Sequence, residues 1–424
     1  MVRKHIYLGI VLLLSLTGMA QWLHKPVPAT PGYHPSQACM TYPSGDSTAF
    51  DRFFSLWDDY FFNGSNTKFT ILHMGGSHIQ AGIFTNKIRS NLLRLYPDMI
   101  SARGMLFPFH IAGTNNPVSY KSSHTGKWTY CKNTQHNAQY GMGILGMCGV
   151  PCDTNSTATV SMRNNDSICF TFSTVYLLGY CDSGWVIPKI HYLDTLTAYG
   201  QYDADLSAYC FHLDTNTDSF TVAFESVNDS LWENFYLRGF YADNQQGGLS
   251  YVDIGVNGAS VPSYLKCEYL EKDLRLLKPD LCIFSIGIND ASGTDFDTAV
   301  FIQNYKNLIT RIRSVAPDCQ VLFTTNNDSY RKVKRSYINN PNGMLVEYAF
   351  RSLAGYYHTG MFDWFAYMGG LKSMAEWEKE GLAKKDKIHF TNAGYIIWGD
   401  VLYNVMLQEY EKHLIRKAQT DGME

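Results

Sequence analysis

Charge of one sign is missing from this chain: 35 Lys and Arg stand against 38 Asp and Glu, for a formal net charge of −3. That balance gives no reason to expect a nucleic-acid surface. Paired C-x-x-C spacings are absent although the chain has ten cysteines, so a structural zinc site is not expected. The chain has no Gly-x-Ser-x-Gly either, because Ile79 fills the last position of Gly75-Gly76-Ser77-His78-Ile79, and this disfavours an α/β-hydrolase elbow. No internal repeat or low-complexity tract is visible, so solenoids and linker-like chains drop out.

Long apolar runs are nearly absent as well. The one that stands out, Ile6–Leu16, is short of the about 20 residues a membrane span needs. Arg3 and Lys4 precede it and Gly18-Met19-Ala20 follows, the pattern of a signal peptide over residues 1–20. An uncleaved anchor fits the same residues. Export to the periplasm or cell surface is the expectation, with no stable membrane span after cleavage. An oxidising destination permits disulfides, and Cys148 and Cys152 are close enough in sequence for a local bridge. Cys282, inside an apolar run, reads as a buried free thiol.

What is present is substantial: 424 residues, 45% of them apolar, too long for one ordinary core. Residues 21–47 read as a leader or linker. Phe69–Met74 is an apolar run that ends in glycines, as a strand stopping at a tight turn would, and Gln80–Leu95 follows with helical spacing. Between about Tyr120 and Asp243, short runs such as Ala158–Arg163 and Ser219–Ser226 alternate with Asn, Asp, Thr and Gly clusters, which predicts a β-sandwich. Strand and helix then alternate again: Tyr251–Val256, a helix over Ser263–Leu277, the continuous apolar run Leu281–Ile286, a helix over Phe301–Ile312, the strand Gln320–Thr325, and a last helix capped by Thr391 and running to about Glu411. The predicted organisation is an α/β domain over residues 48–118 and 246–415, interrupted by an all-β insertion over 119–245 and followed by a tail over 416–424.

Four short segments fall at the carboxyl ends of predicted strands, where open α/β sheets place their sites. Ser77, on the first turn, could expose its hydroxyl while backbone N–H groups and a helix dipole face a nascent oxyanion. Gly258, in Val256-Asn257-Gly258-Ala259, would let the backbone approach a ligand. Asn289, in Gly287-Ile288-Asn289-Asp290, could donate a side-chain hydrogen bond, with Asp290 bracing the loop. His389 lies three residues after Asp386, so one turn could hold the imidazole in a single tautomer. Taken singly, each segment reads as a turn or a helix cap; their order along the chain makes the set.

Ser77, Gly258, Asn289 and His389 resemble the four defining residues of the SGNH, or GDSL-like, hydrolases, with Asp386 as the acid of that family's D-x-x-H block. The G-x-N-D form of Gly287–Asp290 and the D-x-x-H-F-T-x-x-G-Y form of Asp386–Tyr395 carry the resemblance. One departure is plain: Gly76 stands where the family usually has Asp, which points to altered loop support. The resemblance implies a flavodoxin-like three-layer α/β fold and an acyl-serine mechanism without cofactor or metal. A long β-rich insertion between the first two blocks resembles peptidoglycan O-acetylesterases with a carbohydrate-binding-like module, and Arg103–Pro108 with Ala112–Tyr120 resembles exported Bacteroidetes members.

The expected activity is therefore removal of O-acetyl groups from a polysaccharide or peptidoglycan. The substrate part rests on export, the sandwich and an aromatic content of 14%. Trp128, Trp185 and Tyr199 could stack on sugars but read more readily as core. Acetyl transfer to a glycan hydroxyl would use the same residues, and a glycan-binding protein with a degenerate site is the non-enzymatic alternative. A metal site made of His73, His78, Asp386 and His389 matches no ligand spacing, and His73 reads as packed inside its strand.

Overall fold

The structure, a computed structural model, describes residues 23–32, 35–96, 99, 101–164, 168–227 and 233–423. The signal-peptide reading of residues 1–20 lies outside them. None of the helices among the described residues is long and apolar enough to cross a membrane.

Five parallel strands form the centre: Lys68–Gly75, Gly248–Gly255, Leu281–Ser285, Gln320–Thr324 and Met361–Phe362. Numbered in chain order they lie as 2-1-3-4-5, the flavodoxin order, so the order reverses between Lys68–Gly75 and Leu281–Ser285. Ser101–Ala102 extends one edge in parallel, and Met40–Thr41 closes the other edge antiparallel. Side chains alternate between two cores because the strand period is two. Phe69, Ile71 and Ile283 pack with helices Asp51–Phe62, Ile83–Leu93 and Asn392–Met423. Leu72, Met74 and Phe284 pack with the opposite layer, which includes Leu270–Leu277, Thr298–Arg313 and Asn342–Tyr356. The three-layer expectation holds.

Helix boundaries differ in three places, each for a local reason. The helix expected over Gln80–Leu95 is two pieces, Ser77–Gln80 and Ile83–Leu93, because Gly82 takes φ +71° against Pro117. The helix expected over Ser263–Leu277 breaks into Val261–Leu265 and Leu270–Leu277. The Arg311 guanidinium donates to the Leu265 and Cys267 carbonyls at the break, at 2.9 and 2.7 Å. The last helix runs on to Met423 rather than stopping near Glu411. Arg416 pairs with Asp51, and Lys417 Nζ lies 2.6 Å from Asp58, which ties the extra turns to the first helix.

Between the first and second parallel strands the chain builds two antiparallel sheets. A five-stranded sheet contains Tyr120–Thr125, Thr157–Met162, Val186–Tyr192, Leu196–Tyr199 and Ser219–Ser226. A seven-stranded sheet includes Phe172–Cys181, Ala208–Thr217 and Phe235–Asp243. They face one another through Phe220 against Phe172 and Phe240, and Phe224 against Phe235 and Trp128. This core runs without interruption into one face of the parallel sheet. Trp128 packs half-buried, but Trp185 and Tyr199 are not core residues: they are 40% and 64% exposed, Tyr199 on an edge strand.

All ten cysteines are free thiols, with Cys282 buried. The local Cys148–Cys152 bridge does not form, because Cys148 lies inside the strand Met147–Pro151. Four residues of extended chain span about 13 Å, far beyond disulfide reach.

A buried ionic group ties the two parts of the molecule. Asp253 on the second parallel strand lies 2.9 Å from Arg89 and 3.1 Å from Arg103, with all three side chains at most 2% exposed. Thr85 donates a further hydrogen bond at 2.7 Å. Arg89 also faces the Phe170 ring, and Arg103 the Tyr120 ring, both contributed by the insertion. Burial pushes the Asp253 carboxyl upward, but Arg103 and Arg89 outweigh it and hold the carboxyl at about 2, below its ordinary 3.8. Its stabilising contribution is thus complete above pH of about 4 and is lost as pH falls towards about 2. Asp253→Ala leaves two buried guanidinium groups without their carboxylate and lowers stability by about 3–5 kcal/mol, measurable by urea unfolding at neutral pH. An unchanged unfolding midpoint would contradict this role.

Candidate active site

Ser77 follows the central strand Lys68–Gly75 directly, at the sheet's switch point, where the strand ends expose a crevice. Gly75 is required there, since a Cβ would meet the Ser285 carbonyl at 2.8 Å and Ile79 closer still. Tyr264 donates to the Gly75 carbonyl at 2.7 Å and fixes the turn. The helix that starts at Ser77 is only four residues long, so the expected helix dipole is small, and the local backbone N–H groups are the electrostatic feature that remains.

His389 arrives 312 residues later, and its Nε2 lies 2.8 Å from Ser77 Oγ. On the far side of the ring, Nδ1 lies 2.9 Å from Asp386 Oδ2. The pairing requires Nδ1 to donate to the carboxylate and Nε2 to accept from the hydroxyl. Asp386 Oδ1 accepts the backbone N–H groups of Ile388 and His389 at 2.9 and 3.0 Å. Burial raises the Asp386 carboxyl, but the His389 ring and these two N–H groups overcome it and hold the acid well below the usual carboxylate range. The carboxylate therefore stays charged at any ordinary pH and can stabilise an imidazolium.

The loop is held from behind. Lys384 N–H donates to the His389 carbonyl at 2.7 Å, and Asn327 donates to the Ile388 carbonyl at 3.0 Å. Phe390 lies fully buried against Trp364, Trp377 and Trp398. Thr391 Oγ1 accepts the Gly394 N–H at 3.4 Å, which is the cap expected of it.

Gly258 sits in the same cleft with φ +84°, a conformation that favours glycine. Its loop is fixed by Gln80, which accepts the Asn257 N–H at 2.7 Å and donates to Thr114 and Asn115. Asn289 donates one amide hydrogen to the Ala259 carbonyl at 2.8 Å, and the geometry of an amide leaves a second hydrogen for a ligand. Asp290 accepts the Val261 N–H at 3.1 Å, bracing the loop, and burial pushes its carboxyl up to about 6. At Gly76, a Cβ would stand 3.4 Å from both Asn289 Nδ2 and the Ala259 carbonyl oxygen. Loop support comes here from Tyr264, Asn289 and Asp290.

Ser77, Gly258, Asn289, Asp386 and His389 all line one cleft of about 770 Å³. The hypothetical metal set does not gather there. His73 is fully buried inside its strand, its two ring nitrogens each 2.7 Å from Tyr251 and Ser285 hydroxyls. Among the described residues no three His, Cys, Asp or Glu side chains could together hold a metal ion.

Sequence reasoning missed Gln80, Asn115 and Asn327, which act on the site's loops and carry no pattern. It also missed the role of His78. Burial pulls that imidazole down to about 3, so it is neutral; its ring lies 5.2 Å from that of His389, and Nδ1 lies 2.8 Å from the Tyr395 hydroxyl. The signal available was Tyr395, the last residue of the D-x-x-H-F-T-x-x-G-Y block.

Comparison with known proteins agrees with this geometry. Residues 218–397 match the GDSL-like Lipase/Acylhydrolase family. That match includes Gly258, Asn289, Asp386 and His389 but stops short of Ser77, whose place rests on the fold. The solved structure described as a peptidoglycan O-acetylesterase in action superposes with a TM-score of 0.71 at 21% identity, covering 88% of this chain and 99% of its own. A GDSL-like lipase from Bacteroides thetaiotaomicron covers 38% of this chain and 76% of its own, with a TM-score of 0.28 at 18% identity. An acetyl xylan esterase covers 37% of this chain and 80% of its own, with a TM-score of 0.30 at 20% identity. No curated protein matches the sequence. Over residues 218–397 the chain is thus similar to the GDSL-like lipases and acylhydrolases, and that likeness supports a carboxylic ester hydrolase.

Tyr395→Phe removes the hydroxyl that meets the buried His78 ring. Leaving that nitrogen unpaired costs about 1–3 kcal/mol, read as a lower unfolding midpoint. A Phe variant as stable as the parent would show that the contact contributes nothing.

Proposed function

We propose that this chain is an exported serine esterase that removes O-acetyl groups from a polysaccharide or peptidoglycan. The observation that carries the proposal is the hydrogen-bonded line from Ser77 Oγ through His389 to Asp386, at 2.8 and 2.9 Å. Ser77 Oγ attacks the acetyl carbonyl carbon while His389 Nε2 takes the hydroxyl proton. The tetrahedral oxyanion then meets the free Asn289 amide hydrogen and the N–H groups of Ser77 and Gly258. Collapse breaks the bond to the sugar oxygen, which receives the proton from His389 and leaves as an alcohol. Water, deprotonated by the same imidazole, attacks the acyl-serine; acetate departs and the serine is restored.

The substrate class is supported by the shape and lining of the cleft. It is lined by Asn115, Asn257 and Asn340, which can bond sugar hydroxyls, and by Ala81, Ile83, Ile288 and the Tyr330 and Tyr337 rings, which offer apolar surface. Such a lining suits a short acyl group on a hydrated carrier. The peptidoglycan O-acetylesterase likeness agrees with that class, and the basic, apolar and small-residue order of residues 3–20 supports export. A degenerate binding protein is disfavoured because Ser77, His389 and Asp386 stand in one hydrogen-bonded line.

Ser77→Ala is expected to abolish p-nitrophenyl acetate turnover with the unfolding curve unchanged, whereas Asn289→Ala lowers kcat by about 10²–10³. Retention of parental turnover by the alanine variant at residue 77 would remove that residue from the mechanism.

A further inference from the structure

We propose that the cleft takes an anionic saccharide, its negative group held by Arg331, Lys332 and Lys384 beside Ser77. The proposal rests on the esterase reading above and adds the charge of the substrate to it. It begins from a contrast. The chain as a whole is slightly acidic, at −3, yet the cleft lining contains three cations, Arg331, Lys332 and Lys384, against one carboxylate, Asp386. That carboxylate is already engaged through both oxygens by His389 and its neighbouring backbone.

The cations come from two sides. Arg331 and Lys332 belong to a hairpin, Tyr330–Val333 paired with Ser336–Asn339, and Lys384 belongs to the loop that carries His389. The hairpin is anchored to that loop by the Tyr330 N–H, which donates to the Lys387 carbonyl at 3.2 Å, and is closed at its own base by the Asn340 N–H, which donates to the Ser329 carbonyl at 2.9 Å. Tyr330 and Tyr337 share the lining and offer rings to a sugar.

A basic hairpin is most simply a solvated surface, and three observations weigh against that here. Arg331 is half-buried, and its Nε is a buried donor with no hydrogen-bond partner among the described residues. An unmet donor of this kind is destabilising, and it leaves the guanidinium without the partner that holds a surface arginine in place. Next, neither Arg331, Lys332 nor Lys384 makes a salt bridge among the described residues, whereas the adjoining Lys387 is paired with Glu378 at 3.8 Å and lies over the Tyr330 ring. Finally, these three cations line the cleft that holds Ser77, where low-dielectric walls strengthen their pull on an anion. Carboxylate, sulfate and phosphate share the required chemistry.

The test uses the full chain and four acetylated dextrans of matched acetyl content: uncharged, carboxymethylated, sulfated and phosphorylated. p-Nitrophenyl acetate, which carries no fixed charge, reports Ser77 chemistry separately. The expectation is a kcat/KM at least about tenfold higher on one or more charged dextrans than on the uncharged one, with the preference shrinking as salt rises from roughly 0.02 to 0.5 M. The arm that wins identifies the anion. Arg331→Gln/Lys332→Gln/Lys384→Gln should lower the charged-over-uncharged ratio by about tenfold. If the triple variant does not fold, Lys332→Gln, at an exposed position, should lower the ratio by about threefold. Wild-type protein that hydrolyses the nitrophenyl ester but shows a ratio near one, or variants that keep the parental ratio, overturn the proposal. Absence of nitrophenyl ester turnover by the wild type would instead remove the esterase reading beneath it.

Discussion

A hydroxyl and an imidazole separated by 312 residues of sequence meet at 2.8 Å, and most of the architecture around them serves to hold that contact. One partner is fixed by the central strand of a parallel sheet that is buried on both faces, so the turn after it has little freedom. The other is fixed by a loop whose backbone is held at Lys384, Lys387, Ile388 and His389, and by Phe390 wedged among three tryptophans. Neither loop is a long excursion. Each leaves a rigid element and is pinned within a few residues, which is how a surface-facing site keeps side-chain positions accurate.

The antiparallel sheets inserted after the first parallel strand share in that support. Their core is continuous with one face of the parallel sheet, and Asp253 joins both parts through Arg89 and Arg103. Thr114 and Asn115, on the segment that leads into those sheets, reach Gln80, which holds the backbone of Asn257 beside Gly258. Loss of the insertion would therefore disturb the Gly258 side of the cleft as well as expose apolar surface.

The α/β alternation was readable because buried parallel strands are continuous apolar runs, as in Leu281–Ile286, and because the first four reach glycine or asparagine within two residues; the two-residue strand Met361–Phe362, followed by Asp363, gave no such signal. Ser77, Gly258 and Asn289 were readable for the related reason that each lies next to such an end, whereas Asp386 and His389, expected at a strand end, follow the helix Ser373–Lys379 and were readable from their D-x-x-H spacing alone. Helix breaks at Gly82 and near Cys267 were not, since tertiary partners (Pro117 and the Arg311 guanidinium) decide them. Support from Gln80, Asn327 and His78 was hidden because hydrogen bonds across distant chain segments leave no local spacing. Whole-chain charge also concealed Arg331 and Lys332, which average away in a near-neutral composition yet line the cleft together with Lys384.

The central claim is that Ser77 is a nucleophile because His389 activates it. Peptide mapping after reaction with a fluorophosphonate tests this directly. The label should fall on Ser77 in the parent protein and fail to appear in folded His389→Ala. Label on another residue, or equal labelling of Ser77 without the imidazole, would contradict the account.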